Sequence, residues 1–204
     1  MKIINIDQNT DEWFELRKGK ITGSTLKDIV VKRGTKKKIG FYQLIADRIA
    51  QEPDDENVMD RGHRLEEEAI EKLEQQLGVK VERVGFLVSD FNPNIGLSPD
   101  GLIKRNGKYT EAVEVKCLNS ARHIQALIEK ELPKEYEEQA LQYFIVNEDL
   151  QVLHFVFYDP RIKSNPYLKI SITSDFFGDQ IEAIKQYEID TLKEIDQWVE
   201  KLAF

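Results

Sequence analysis

Asp100 stands in Ser98-Pro99-Asp100-Gly101, and a short stretch later the chain reads Glu114-Val115-Lys116. Period-2 alternation in a strand puts Glu114 and Lys116 on one face and Val115 on the other. Two charges on a buried sheet face cost several kcal/mol per ion unless something compensates them. Either that face is wet, or the pair serves a metal or a substrate. Pro99 removes a ladder donor and Gly101 permits backbone that a side chain forbids, so the break can aim the Asp100 carboxylate out of the sheet. Asn106-Gly107 is a hairpin signal that returns the chain antiparallel. Asp100 and Glu114 can then meet on neighbouring strands, where a hard divalent cation relieves their repulsion. Two carboxylates with the Val115 carbonyl form a partial Mg2+ shell, the ion keeping several waters. Lys116 would hold or polarise an attacking water and offset charge on a phosphate. Alone, however, Asp followed by Glu-x-Lys arises by chance in a chain rich in Glu and Lys. An exposed strand face with one ion pair is the competing reading.

The elements that must position these groups follow from periodicity and punctuation. Asn9-Thr10-Asp11-Glu12 opens a helix that ends at Gly19 and carries Trp13, Phe14, Leu16 and Arg17. Thr22 or Ser24 caps a second short helix. Phe41, Leu44, Ile45 and Ile49 recur at helical spacing in 41–51, broken by Pro53-Asp54-Asp55. A helix over 57–77 puts Leu65, Ala69, Leu73 and Leu77 on one stripe and stops at Gly78. The period then switches to two: 79–84 and 85–90 read as strands, and Asn92-Pro93-Asn94 as a turn. Residues 95–104 read as a strand interrupted at Pro99-Asp100-Gly101. After the Asn106-Gly107 hairpin come a strand through 111–117 and helices over 119–130 and 134–146, separated by Pro133. Strands at 150–159 and 167–173 precede a long amphipathic helix from Ser174, with Phe177, Ile181, Ile184, Ile195, Val199 and Leu202 on its apolar side. With no repeat, low-complexity linker or break, 1–204 reads as one domain, an α/β sandwich around one mixed sheet.

Composition bounds the function. The chain has 204 residues, 41% hydrophobic and 32% charged, which fits a folded soluble protein rather than a disordered one. No apolar run approaches a membrane span, and the first residues lack the apolar core of a secretory signal, so a membrane or secreted protein is not expected. Cys117 is the single cysteine, which excludes an internal disulfide and fits a reducing cytoplasm; it reads as a small buried hydrophobe. The net charge is −8, from 37 acidic and 29 basic residues, which argues against nucleic acid binding over the whole surface. Basic residues gather in 32–38, Lys-Arg-Gly-Thr-Lys-Lys-Lys, either a solvated loop or a phosphate contact.

Asp100…Glu114-Val115-Lys116 resembles the motif of the PD-(D/E)XK nucleases. Ser98-Pro99-Asp100-Gly101 followed by Glu-Val-Lys resembles, within them, the phage lambda exonuclease/YqaJ viral recombinase family. Further stretches agree in order. Residues 12–24 resemble that family's Trp-x-x-x-Arg…Ile-Thr-(Ala/Gly)-Ser signature, and 62–69 its Gly-x-x-x-Glu helix. Residues 133–143 resemble its Tyr-x-x-Gln helix, and 157–161, Phe-Tyr-Asp-Pro-Arg, the strand end that follows. The likeness runs from about 12 to 161.

This resemblance implies a restriction-endonuclease-like core, a central mixed sheet flanked by helices. It implies Asp100 and Glu114, with the Val115 carbonyl, as metal ligands and Lys116 as the catalytic lysine. Glu66 would be a helix acid reaching the metal directly or through water; otherwise it lies on a solvated helix face, as Glu67 and Glu68 do. Arg17, Ser24, Ser98 and Gln139 would form a 5′-phosphate pocket. Their plainer roles are a surface ion pair for Arg17, an N-cap for Ser24 and an exposed helix position for Gln139. The family's usual Gln-x-Gln appears here as Gln139-Ala140-Leu141-Gln142, so Gln142 is the alternative contact. His63, His123 and His154 match no metal-ligand spacing and read as structural or surface residues.

The implied activity is a Mg2+-dependent exonuclease, with Mn2+ as a substitute and two ions. It would degrade the 5′-ended strand of duplex DNA to mononucleotides and leave a 3′ overhang for phage-type recombination. A homotrimeric ring around DNA, a single-strand annealing partner, no membrane and the cytoplasm of a bacterial host complete the expectation. A ring would reconcile the acidic net charge with DNA binding, since basic residues need only line its channel. An endonuclease of the same fold, or a catalytically silent DNA-binding or assembly protein, are the alternatives. The 5′-phosphate residues count against the first and the intact acid-acid-lysine set against the second. No glycine-rich phosphate loop points to a small-molecule metalloenzyme.

Overall fold

Asn106 and Gly107 both adopt left-handed backbone, φ 50° and 86°, the conformation that a two-residue hairpin turn requires. They join β3 (Gly101–Arg105) to β4 (Lys108–Lys116), paired antiparallel in the register Gly101↔Val113, Leu102↔Ala112 and Ile103↔Glu111. The computed structural model describes residues 10–12, 15, 35–50 and 58–202. The helices whose bounds lie among the described residues are α1 (Ile39–Ile49), α2 (Val58–Leu77), α3 (Ser120–Glu129), α4 (Glu137–Val146) and α5 (Gln180–Leu202). A two-stranded ribbon pairs β1 (Leu87–Val88) with β2 (Gly96–Leu97), while β3 and β4 continue into β5 (Val152–Tyr158) and β6 (Tyr167–Thr173) in the sheet order β3-β4-β5-β6.

The two outer hydrogen-bond links set the sheet's directions. Gln151 N donates to Thr110 O at 2.7 Å, where β4 and β5 both begin, which marks a parallel pair reached through the α3–α4 crossover. Asp159 N donates to Pro166 O at 2.8 Å, tying the end of β5 to the start of β6 as an antiparallel hairpin. The sheet is therefore mixed, as the pattern of elements indicates.

The chain forms two compact units, one from the described parts of 1–65, 117–130 and 157–168, the other from 66–116, 131–156 and 169–204. In the first, Tyr42 and Ala46 of α1 bury themselves with Ala121, Ile124 and Ile162, and Phe41 and Ile45 flank them. The expected stripe of α1 thus shifts: Ile49 is 52% exposed and Tyr42 takes the core, its hydroxyl donating to Glu129 at 3.0 Å. Asn119 caps α3 by accepting from Arg122 N at 3.0 Å. In the second unit the buried residues include Leu102, Ile103, Ala112 and Val113 of the hairpin, with Leu153, Phe155 and Val156 of β5. Along α2, the stripe Leu65, Ala69 and Leu73 is buried as its spacing indicates.

Other expectations change at the ends of elements. Residues 79–84 are not a strand; only Glu82 bridges, exchanging hydrogen bonds of 2.7 and 2.9 Å with Leu102. After the left-handed Gly78 (φ 64°), the Glu74 carboxylate captures the Val81 amide at 2.8 Å, so that donor is spent on a side chain rather than a ladder. Strand 85–90 contracts to Leu87–Val88, and the last helix begins at Gln180 because Gly178 (φ 52°) interrupts after a 3-10 turn at Ser174–Phe176. Cys117 is half-buried rather than buried. No helix among the described residues is long and apolar enough to cross a membrane.

Candidate active site

The register Gly101↔Val113 sets Asp100, one residue before β3, across from Glu114 in β4. Gly101 is needed here for close approach, not for a left-handed φ: a Cβ on it would stand 2.1 Å from Val81 Cγ1. The Asp100 carboxylate turns onto the β4 backbone, where its Oδ2 accepts from Val115 N at 2.7 Å. The proline-glycine break and the hairpin together therefore bring two acids from distant positions to one spot.

Glu114 is buried, 4% exposed, and three donors hold it. Lys116 Nζ donates to Oε1 at 2.6 Å, Gln139 Nε2 donates to the same oxygen at 2.7 Å, and the Tyr143 hydroxyl donates to Oε2. Lys116 in turn lies over the Tyr136 ring, 5.1 Å from its centroid, and Tyr136 packs tilted on Phe155 at 5.8 Å. Tyr136, in the 3-10 turn Lys134–Tyr136 that leads into α4, thus supports the lysine, while Gln139 and Tyr143, one turn apart on α4, hold the carboxylate. Burial and then the Glu114 charge push the Tyr143 hydroxyl far above its ordinary pKa, so it stays protonated and donates.

Asp100 has no such escort. Burial, and next the charge of Glu114, push its carboxyl up to about 6; Glu66 adds to the rise, and the Val115 amide and Lys116 oppose it. Glu66, on α2, is held by Arg83, whose Nη2 lies 2.7 Å from Oε1. Arg83 Nη1 also donates to the Asp100 main-chain oxygen at 2.5 Å. Among the described residues no three His, Cys, Asp or Glu side chains are arranged to hold a metal ion. Glu66 points its charge into Arg83 and Glu114 into its three donors. The donor chemistry nevertheless fits a hard divalent ion: Asp100 and Glu114 are oxygen donors in mutual repulsion, which the Val115 amide and Lys116 offset only in part.

The structure thus gathers Asp100, Glu114, Val115, Lys116 and Gln139, with Glu66 linked to Asp100 through Arg83. Ser98 is exposed just before them. Arg17, Ser24 and Trp13 lie outside the described residues, as do the end of the first helix at Gly19, the short helix capped by Thr22 or Ser24 and the start of the basic run; Lys37 of that run sits 5.5 Å over the Phe41 ring. Gln142 hydrogen-bonds Glu188 instead of the cluster, so Gln139 is the amide at the site. His123 and His154 are buried and structural: His123 Nε2 meets Asn165 O at 2.9 Å, and His154 bridges Glu111 and Ser171 at 2.9 and 3.0 Å. Two participants escaped the sequence reading. Tyr143 had a signal, its i+4 spacing from Gln139. Arg83 had none, because it sits in a segment that looked like an ordinary strand.

A YqaJ-like viral recombinase domain matches residues 12–149 of the chain. Among solved structures, an alkaline exonuclease from Laribacter hongkongensis is 28% identical and superposes with a TM-score of 0.60, over 95% of this chain and 98% of that one. Its complex with dAMP is similar at TM-score 0.59, with the same identity and coverage. The mixed sheet flanked by helices is thus the fold of that exonuclease, the PD-(D/E)XK fold. No curated protein sequence matches the chain significantly.

Proposed function

We propose that this chain, which belongs to the YqaJ-like viral recombinase domain family, is an exonuclease that degrades the 5′-ended strand of linear duplex DNA and leaves a 3′ overhang. The observation that carries this reading is the meeting of Asp100, Glu114 and Lys116 at one partly buried spot, in a fold shared with an alkaline exonuclease along nearly the whole chain. The related enzyme has been crystallised with dAMP, a deoxynucleoside monophosphate of the kind this reading requires as product.

Asp100, Glu114 and the Val115 carbonyl would hold Mg2+, with Mn2+ as a substitute. Glu66 would join directly or through water, and a second ion completes the proposal. When bound, the metal supplies Lewis-acid polarisation of the phosphodiester and a more acidic water. The chain's own groups do the rest. Tyr143 and Gln139 fix the Glu114 carboxylate, Tyr136 holds the Lys116 ammonium in place, and Lys116 orients the attacking water and offsets charge developing on the phosphate. Arg17, Ser24, Ser98 and Gln139 would receive the 5′-phosphate, which makes the enzyme work from an end. A homotrimeric ring on DNA, a single-strand annealing partner and the cytoplasm of a bacterial host belong to the same reading, phage-type recombination.

The test is linear duplex DNA labelled at its 5′ or 3′ ends, incubated with and without Mg2+, beside a closed circular control. Loss of the 5′ label as mononucleotide, only with metal and only from linear DNA, is the expected result. Cleavage of closed circles would make it an endonuclease, and no cleavage under any metal would leave a silent DNA-binding protein.

A further inference from the structure

Arg83 has no part in any sequence motif of the site, yet its guanidinium stands inside it. It donates to the main-chain oxygen of Asp100 at 2.5 Å and pairs with Glu66 at 2.7 Å. These contacts anchor the group from two sides while 46% of the side chain stays open to solvent. A guanidinium has five N–H donors in a rigid fork, so two anchoring bonds leave others to spend.

The segment around Arg83 is shaped without it. Glu74 holds the Val81 amide, Val81 packs onto Gly101, and Glu82 bridges Leu102. A half-exposed ion pair adds little stability of its own. A structural role therefore explains poorly why a cation is held here. The electrostatics explain it better. Glu66, Asp100 and Glu114 gather three carboxylates against the single ammonium of Lys116, a combination that repels a phosphodiester. Arg83 adds the second cation at the Asp100 edge, anchored in advance and partly open.

We propose that Arg83 is a DNA-phosphate contact at the carboxylate cluster, held ready by Asp100 O and Glu66. The proposal rests on the nuclease reading above and adds to it a residue that binds the substrate backbone beside the reacting position. A contact of this kind is independent of base sequence, and it acts on binding whether or not a metal is loaded.

The test is binding of a fluorescent linear duplex, measured by anisotropy in the full chain carrying Lys116→Ala to prevent cleavage, over a series of salt concentrations. Adding Arg83→Ala should weaken binding about tenfold. It should also flatten the plot of log Kd against log salt by about 0.9, the value for one lost phosphate contact on duplex DNA. Arg83→Lys should keep most of the slope, because the charge remains. Glu66→Gln, which removes the anchor's acid but not the cation, should bind at least as tightly as the parent. An unchanged Kd and slope in Arg83→Ala would overturn the proposal while leaving the nuclease reading intact. A loss in Glu66→Gln equal to that in Arg83→Ala would make Arg83 a support for Glu66 only. Absence of any duplex binding by the parent would overturn both readings.

Discussion

Two aspartates, each beside a proline at the edge of a strand, meet opposite fates in this molecule: Asp159 is buried and Asp100 half-buried. Asp159, in Tyr158-Asp159-Pro160-Arg161, is 1% exposed and brings its own cation. Arg161 Nε donates to Oδ1 at 2.7 Å and Nη2 to Oδ2 at 3.1 Å, Ser120 donates to Oδ2 at 2.6 Å, and Arg161 reaches on to Leu118 O at 3.1 Å. Burial pushes the Asp159 carboxyl up, but the bonds from Arg161 and Ser120 outweigh it and hold the pKa below the ordinary value. At Asp100 burial also pushes upward, and there the Glu114 charge pushes the same way, to about 6. Both carboxylates are withdrawn from water, but at Asp100 the Val115 amide and Lys116 offset only part of the rise. A fully paired acid locks structure, whereas a partly compensated one keeps a perturbed pKa of the kind found at functional sites.

The sharpest way to break this contrast is to remove the chemistry at one pole. Asp100→Ala, Glu114→Ala and Lys116→Ala should each lower cleavage of linear duplex DNA by at least about a thousandfold, with the circular dichroism spectrum and cooperative melting kept. Near wild-type rates at saturating Mg2+ would end the site assignment.

At the other pole the effect should fall on stability. Asp159→Ala strands Arg161 without its buried partner, a loss of about 3–5 kcal/mol, which lowers Tm by about 10 °C for a chain of this size. Calorimetry checks it, and a Tm within a degree of wild type would show that Asp159 is no structural lock.

Tyr143→Phe probes the support of Glu114 alone. The ring and its packing remain and one hydrogen bond to a charged group is lost, so kcat should fall about tenfold to a hundredfold and Tm by about 3–8 °C. If the variant loses stability and keeps its rate, the tyrosine serves the core and not the carboxylate.

The smallest effect is also the one that reverses intuition. Because the Asp100 pKa is raised, the native protein holds that proton more tightly than the unfolded chain does. Ionisation therefore costs stability as pH climbs from about 3.8 to about 6, and the cost is complete above that window. Asp100→Asn removes it, so the metal-free variant should melt about 2–5 °C higher than wild type at pH 8. The difference should vanish below about pH 4. A destabilised variant at pH 8 would mean that Asp100 is compensated after all, as Asp159 is.

Local signals in the chain account for much of this architecture. Asn106-Gly107 specifies its turn because both positions tolerate left-handed backbone, and strand alternation alone puts Glu114 and Lys116 on one face. Gly78 ends α2, Pro133 separates α3 from α4, and the stripe of Leu65, Ala69 and Leu73 is the one that α2 buries. That Asp100 and Glu114 approach each other was legible from the proline-glycine break and the hairpin, while their grouping with Lys116 as a site came from the family resemblance.

What sequence periodicity does not encode is which partner a side chain finds across the fold. On α1 the core centres on Tyr42 and Ala46, with Phe41 and Ile45 of the expected stripe at its border and Ile49 exposed. Gly101 matters through Val81, a residue twenty positions earlier, and not through its own φ. Arg83 reaches Asp100 O and Glu66 from a segment after α2 that forms no regular strand and whose Val81 amide is taken by Glu74. Hydrogen bonding and burial between residues far apart in the chain made these choices, and with them the difference between Asp159, paired with Arg161, and Asp100, set beside Glu114.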